Sequence, residues 1–98
     1  MRLTEAEKDA ITQTCREIFG DGSVYLFGSR TDDTQAGGDI DLYIIPPMKE
    51  SYKSLLEKKL YFSALLKQRI GDRKIDVIIA HNPNRLIEQE ALKKGIKL

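Results

Sequence analysis

Apolar residues recur every three or four positions from Ala6 to Phe19, which is the spacing of one face of an α-helix. Thr4 precedes this run, and Glu7 lies three residues after Thr4. This is a capping-box pattern, in which both side chains bond free backbone N–H groups. The pattern predicts a helix from Glu5 to Phe19. Gly20 and Gly22 should end it.

Three short runs are rich in β-branched, aromatic and other apolar residues, which is typical of buried strands. Gly28 closes the first run, and Pro46-Pro47 stops the second because proline cannot donate to a sheet ladder. The predicted strands are Val24 to Phe27, Ile40 to Ile45 and Lys74 to Ala80.

Two further helices are predicted between and after these strands. The longer one runs from Ser51 to Ile70, and Gly71-Asp72 then turns the chain. A last helix should start with the side chain of Asn82 as its cap and Pro83 in its first turn, and should end at Gly95. Ile96 to Leu98 could be a short strand or a tail. One side of the long helix carries Leu55, Leu56, Leu60, Ser63 and Leu66.

The resulting order, α-β-β-α-β-α without repeats or linkers, predicts a single α/β (α+β) domain over residues 1–98. We expect a small mixed β-sheet with helices packed against it. Hydrophobic residues make up 41% of the chain and charged residues 32%, a globular composition.

Charge and cysteine content narrow the classes of function. The net charge is +1, from 16 basic and 15 acidic residues, so the sequence predicts no general nucleic-acid binding. Cys15 is the single cysteine and cannot form an internal disulfide. The sequence has no signal-peptide core and no apolar run near the roughly 20 residues that span a bilayer. The expected setting is the cytoplasm, with no membrane contact.

The candidate chemistry begins with Asp39-Ile40-Asp41 at the start of the second strand. Strand side chains alternate between faces, so Asp39 and Asp41 should share one face while Ile40 takes the other. Two adjacent carboxylates repel each other unless a proton or cation intervenes. Mg²⁺ prefers such oxygen ligands and keeps positions open for phosphate oxygens. An isolated Asp-x-Asp is more often a solvated turn.

Asp76 interrupts the third strand in the same way. Placed beside the first pair, it would complete a three-carboxylate cluster able to hold two metal ions for nucleotidyl transfer. Gly28 allows close backbone approach to a phosphate, the Ser29 hydroxyl can bond its oxygens, and Arg30 can add a charge-assisted contact. Gly-Ser turns and strand-edge aspartates are each common, but the combination in this order favours a phosphate site.

These residues, Gly28-Ser29-Arg30, Asp39-Ile40-Asp41-Leu42 and Asp76, resemble the signature of the DNA polymerase β-like nucleotidyltransferase superfamily. Within it, the chain resembles the minimal nucleotidyltransferases of bacteria and archaea, which include antitoxins paired with HEPN-domain toxins. The resemblance covers nearly the whole chain.

The resemblance implies a role for each position. Gly28, Ser29 and Arg30 would bind the triphosphate of ATP or another nucleoside triphosphate. Asp39, Asp41 and Asp76 would be catalytic and would ligate two Mg²⁺ ions. Asp76 would also help deprotonate an acceptor hydroxyl, which would receive a nucleoside monophosphate, expected to be AMP, as pyrophosphate leaves.

The resemblance also implies an acceptor on a partner, because larger relatives carry an extra domain for it. A helical HEPN-type toxin encoded nearby is the expected partner. Many relatives follow Gly-Ser-Arg with a small residue, another Arg and a Gly, whereas this chain has Thr31-Asp32-Asp33, and Gly38 where Ser is common.

These differences favour an alternative, a non-catalytic nucleotide-binding antitoxin or regulatory subunit that acts by binding its partner. A third hypothesis is a subunit that modifies a nucleic acid or a small molecule. Self-association into a homo-oligomer stays open.

Overall fold

A computed structural model describes residues 3–27, 40–71 and 73–98 of the chain. These ranges contain three helices and four strands in the order α1 (Glu5–Phe19), β1 (Ser23–Phe27), β2 (Ile40–Ile45), α2 (Tyr52–Ile70), β3 (Ile75–Ile79), α3 (Leu86–Lys94) and β4 (Ile96–Lys97). Among the helices in these ranges, none combines the length and the apolarity that a membrane span requires.

The strands form one mixed sheet with the spatial order β3-β2-β1-β4. β1 pairs antiparallel with both β2 and β4, while β2 and β3 run parallel and are joined through α2. This architecture confirms the predicted α+β fold. The choice left open at the C-terminus is resolved, because Ile96 and Lys97 pair with β1 as a strand rather than forming a tail.

The main core lies between one face of the sheet and helices α1 and α2. Alternate strand residues such as Leu26, Leu42 and Ile44 are fully buried there, against Ile11 of α1 and Phe62 of α2. This alternation follows from strand geometry, in which successive side chains point to opposite faces. The opposite face of the sheet carries Tyr25 and Tyr43, and α3 covers it in part, since the Tyr43 hydroxyl bonds Glu88 of α3.

The predicted boundaries of α1 and β2 match the structure, and the local signals explain why. Thr4 and Glu7 form the capping box, with N···O distances of 3.0 Å in both directions. Gly20 and Gly71 end α1 and α2 with φ values of 77° and 101°, which glycine adopts without strain. Ser51, predicted as the first residue of α2, is its N-cap instead.

One detail of the helix predictions was wrong. α3 begins at Leu86 with Arg85 as N-cap, because Asn82 instead closes a preceding turn, accepting from Asn84 N–H through its side chain and from Arg85 N–H through its carbonyl. On α2, Leu60 is 64% exposed, whereas Phe62, absent from the predicted apolar side, is fully buried. Phe62 packs on Phe19 of α1, and this contact helps decide which side of α2 faces the core.

Candidate active site

Asp41 and Asp76 lie side by side on the two parallel strands at the centre and edge of the sheet. They are direct register partners in the β2–β3 ladder, and adjacent strands are about 4.8 Å apart. Ile40 and Leu42 flank Asp41 and are fully buried in the main core. The aspartates therefore lie on the opposite face of the sheet, where Asp41 is half-buried and Asp76 is exposed.

The end of β1 lies next to this pair. Phe27, the last residue of β1, is the register partner of Asp41. In sequence, Gly28, Ser29 and Arg30 follow Phe27 directly, and Asp39 directly precedes Ile40, the first residue of β2.

Those four residues lie outside the described ranges. Of the six predicted site residues, the structure thus brings two together, and the other four stay predictions.

The donor chemistry of the aspartate pair fits a hard divalent cation. Like charges directly opposite each other on neighbouring strands destabilise a sheet. Within residues 3–27, 40–71 and 73–98, the Asp76 side chain has no hydrogen-bond or ion-pair partner to offset this repulsion. Two carboxylates that share a face offer the oxygen ligands that Mg²⁺ binds in proteins. The described ranges contain no group of three or more metal-ligating side chains, and the third predicted ligand, Asp39, is not among them.

A second, different carboxylate lies farther along the same face of the sheet. Glu88 of α3 is 1% exposed, and its Oε1 accepts a 2.9 Å hydrogen bond from the Tyr43 hydroxyl. Its Oε2 accepts from the backbone N–H of Asn82 at 3.0 Å and of His81 at 3.3 Å, and the Arg85 Nε lies 3.4 Å away. This residue ties α3 and the preceding turn to β2.

The pKa values of Glu88 and Tyr43 follow from these contacts. Burial alone would raise the pKa of Glu88, but the hydrogen bonds from Asn82, Tyr43 and His81, together with the Arg85 charge, lower it. Burial and the neighbouring Glu88 carboxylate raise the pKa of the Tyr43 phenol far above its ordinary value. Glu88 therefore stays ionised and Tyr43 stays protonated near neutral pH, which is the pairing that their hydrogen bond requires.

Sequence reasoning missed Glu88. The available signal was a glutamate three residues before the apolar Ala91, which lies on the buried side of α3. A glutamate in the first turn of a helix is ordinarily a solvated residue that favours the helix dipole, so this signal is weak.

A cavity of about 510 Å³ lies beyond the carboxyl ends of β2 and β3, away from the aspartate pair. Pro46, Pro47, Met48 and Pro83 give it largely apolar walls, and Tyr43 and Glu88 lie at its base. Neither Asp41 nor Asp76 lines it. The cavity and the aspartates are therefore separate features at opposite ends of the strands.

The fold and the aspartate pair define a class, the nucleotidyltransferases built on a small mixed sheet with acidic residues on neighbouring strands. Comparison with known protein families supports this class. The family model described as "Polymerase beta, Nucleotidyltransferase" matches residues 10–98, and the chain belongs to this family. The resemblance inferred from the sequence motifs is thereby confirmed.

Two known proteins show how far the likeness extends. The chain is 31% identical over 96 residues to a CCA-adding enzyme from Pyrococcus horikoshii, in an alignment covering 96% of this chain but only 21% of that enzyme. A solved structure described as "Crystal structure of the toxin-antitoxin with AMP-PNP" has a TM-score of 0.64 and 19% identity, over 92% of this chain and 70% of that one. At that identity, the second likeness shows the fold alone.

Proposed function

We propose that residues 1–98 form one nucleotidyltransferase domain that transfers a nucleoside monophosphate, AMP from ATP, to a hydroxyl group in a Mg²⁺-dependent reaction. The observation that carries this proposal is the side-by-side placement of Asp41 and Asp76 on β2 and β3, next to the end of β1. Membership of the polymerase beta nucleotidyltransferase family supports the same class of reaction.

We assign each candidate residue a role from its position on or next to β1, β2 and β3. Asp41 and Asp76, with Asp39, would hold Mg²⁺, which when bound would neutralise the phosphates and activate the acceptor oxygen. Asp76, the exposed member of the pair, would take the proton of the attacking hydroxyl. Gly28, Ser29 and Arg30, which follow β1 in sequence, would bind the triphosphate before pyrophosphate leaves.

We further propose that the acceptor hydroxyl belongs to a partner protein, such as a HEPN-type toxin, in a cytoplasmic toxin–antitoxin pair. The likeness in fold to a toxin–antitoxin structure with AMP-PNP supports a nucleotide ligand and a protein partner. The chain spans about a fifth of the length of the CCA-adding enzyme that it matches, so the acceptor of that longer protein does not carry over directly.

A second candidate function is nucleotide binding without catalysis, in an antitoxin or regulatory subunit. The observation that favours it is Asp32-Asp33, two acids where relatives commonly have a phosphate-facing cation. Added negative charge near a triphosphate would weaken its binding and its alignment for attack.

Calorimetric titration with each nucleoside triphosphate, with and without Mg²⁺, tests both candidates. We expect ATP binding that requires Mg²⁺ in the wild-type protein and is weakened at least about 100-fold, roughly 2.7 kcal/mol, by Asp41→Asn with Asp76→Asn. Asp9→Asn is the matched control, because Asp9 is exposed on α1, on the other side of the sheet. Metal-independent binding, or binding unchanged in the double variant, would contradict the proposed metal role.

Intact-mass measurement then separates catalysis from binding. The wild-type protein is incubated with ATP, Mg²⁺ and the protein encoded next to it, and the partner is weighed. Addition of one or more adenylyl groups, lost in Asp41→Asn with Asp76→Asn, supports the transferase. If the double variant still suppresses the activity of the partner, and the partner gains no mass, the protein is the non-catalytic antitoxin.

A further inference from the structure

We infer that the outer edge of β3, together with the exposed apolar flank of α2, is a surface on which a second copy of this chain binds. The dimer would be symmetric, with the two β3 strands antiparallel and a two-fold axis at Val77. This inference rests on the backbone of β3 and on side chains of α2, and it does not depend on the proposed activity.

The first observation is that β3 is an edge strand with half of its backbone groups directed outward. Ile40 N–H bonds Lys74 O, and Ala80 N–H bonds Ile44 O, both at 2.9 Å. In a parallel ladder this pattern directs the backbone groups of Asp76 and Ile78 toward β2. The N–H and C=O groups of Ile75, Val77 and Ile79 therefore point outward, and no strand in the described part of the chain lies beyond them.

The second observation is that β3, over Ile75–Ile79, contains no proline, lysine or bulge, and that no described strand lies beyond it. Natural edge strands are blocked by proline, by lysine, by bulges or by a covering element. β3 reads Ile-Asp-Val-Ile-Ile and pairs in regular register along its whole length. Its one charged residue, Asp76, has its backbone groups on the inner side, so it does not interrupt the outer edge.

The third observation is an apolar stripe on α2 along the same edge. Tyr52, Leu56 and Leu60 recur at intervals of four residues, so they share one side of the helix, and they are 66%, 40% and 64% exposed. Tyr52 and Leu56 line a groove with Val77, Ile78 and Ile79, which places these two members of the stripe beside β3. Tyr52 makes an edge-on ring contact with His81, and among the residues that the structure describes all three side chains of the stripe stay exposed.

The edge is complementary to itself. In an antiparallel pair centred on Val77, Ile75 of each copy would lie opposite Ile79 of the other, and every outward N–H and C=O would find a partner. Residues directly opposite each other project to the same face, so both α2 helices would lie on one side of the joined sheet. The two stripes would then meet across the two-fold axis.

The self-complementary backbone edge favours a second copy as the occupant. A standard interface buries roughly 800 Å² on each partner, so a stable dimer would need the strand edge and the stripe together. A net charge of +1 gives little repulsion between copies. We expect a reversible dimer, whose affinity is set by the packing of the two stripes rather than by the area alone.

Pairing at this edge would also complete a wall of the aspartate face. Asp76 would lie opposite Ile78 of the second copy, with both side chains on the face that carries Asp41. The apolar neighbour would shield one side of the carboxylate from water. The dimer would thus join two candidate sites across one continuous sheet.

Sedimentation equilibrium from about 1 µM to 1 mM tests the surface. We expect a monomer–dimer equilibrium in the wild-type protein that Leu60→Glu weakens at least tenfold, because each substitution places a charge on both sides of the axis. Tyr61→Glu is the matched control, since Tyr61 is 63% exposed on the same helix but about 100° around it. Circular dichroism confirms that each variant is folded.

Cysteine cross-linking tests the register. Lys74 would lie opposite Ala80 of the second copy, so Lys74→Cys with Ala80→Cys should form an intermolecular disulfide under mild oxidation, whereas each single variant should not. Cys15 can remain, because burial raises the pKa of its thiol to about 11 and keeps it unreactive.

A monomer at every concentration would overturn the inference. So would a dimer that Leu60→Glu and Tyr61→Glu affect equally, or a dimer in which the paired cysteines do not cross-link. Either of the last two results would place the interface elsewhere on the chain.

Discussion

The face of the sheet opposite the main core carries carboxylates in two very different environments. Glu88 is buried and accepts hydrogen bonds from Tyr43 and from two backbone N–H groups. Asp41 and Asp76 lie next to each other at the other end of the strands, and Asp76 is exposed, without a donor among the described residues. In the first arrangement, donors within the protein stabilise the negative charge of Glu88. In the second, no described residue donates to the Asp76 side chain or pairs with its charge.

The difference separates a structural acid from a candidate catalytic one. A buried carboxylate whose oxygens both accept hydrogen bonds stabilises the fold. Paired acids on one face lower stability unless something positive binds between them. Removing the structural acid should therefore weaken the fold, and removing a site acid should weaken ligand binding without harming the fold. The predictions below test this division, from the largest expected effect on stability to the smallest.

Glu88→Leu should give the largest loss of stability. It leaves the Tyr43 hydroxyl and the N–H groups of His81 and Asn82 without their acceptor, and we expect a loss of about 3 kcal/mol in the free energy of unfolding. Urea denaturation measures it. Glu90→Leu, on the exposed side of the same helix, is the control and should change stability by less than about 0.5 kcal/mol. Similar values for the two variants would refute the structural role.

Glu88→Gln should reveal a pH dependence of stability with a defined sign. The pKa of Glu88 is lowered from its ordinary value of 4.5 in the folded protein, because its hydrogen bonds outweigh the effect of burial. The folded state therefore favours the ionised form, so the stabilisation is present above pH 4.5 and is lost as the pH falls below it.

We expect the free energy of unfolding of the wild-type protein to exceed that of Glu88→Gln by about 1–2 kcal/mol at pH 7. This gap should shrink as the pH falls below about 4.5. Urea unfolding at intervals from pH 7 to pH 3 measures the gap. A gap that is constant across this range would show that the charge of Glu88 contributes nothing.

Tyr43→Phe should have a smaller effect, because Glu88 keeps its two backbone hydrogen bonds. Loss of the 2.9 Å bond from the hydroxyl should cost about 1 kcal/mol in unfolding free energy. Tyr61→Phe serves as the control. Tyr61 is 63% exposed, so this substitution should leave the free energy of unfolding unchanged. If Tyr43→Phe matches or exceeds Glu88→Leu, the backbone donors do not have the importance assigned to them.

Asp76→Asn should change stability least and in the opposite direction. Without divalent metal it relieves repulsion with Asp41, so we expect a gain of about 0.5 kcal/mol in unfolding free energy. Added Mg²⁺ should stabilise the wild-type protein and not the variant, because ligand binding to the folded state raises its stability. Urea unfolding in EDTA and in Mg²⁺ provides the comparison. A clear loss of stability in EDTA would mean that Asp76 supports the fold.

Local sequence signals predicted most of the framework. The capping residues Thr4 and Glu7 and the terminal Gly20 delimit α1, and Pro46-Pro47 ends β2, because each acts on backbone groups within a few residues. Alternation within β2 also placed Asp41 on the face opposite Leu42. The position of Asp76 on a third predicted strand suggested that it lies beside Asp41, while the matched register of the two is a property of the assembled sheet.

Longer-range features were beyond local signals. The start of α3 was misplaced because Asn82 has the same preference for a turn as for a helix cap. The exposed side of α2 could not be predicted because leucines occupy more than one side of the helix, and packing against Phe19 decides which side is buried. Glu88 was overlooked because its donors come from a different strand and from a separate turn.

The sequence by itself determined the elements, their order, the fold class and the family, because these depend on periodicity, caps and short motifs. Only the tertiary structure decided which acid is structural, which apolar side chains stay exposed and which strand forms the open edge. The physical reason is that burial and pairing depend on residues far apart in the chain, whose contacts exist only once the sheet and the helices have come together. The roles of Gly28, Ser29, Arg30 and Asp39 stay predictions from the sequence.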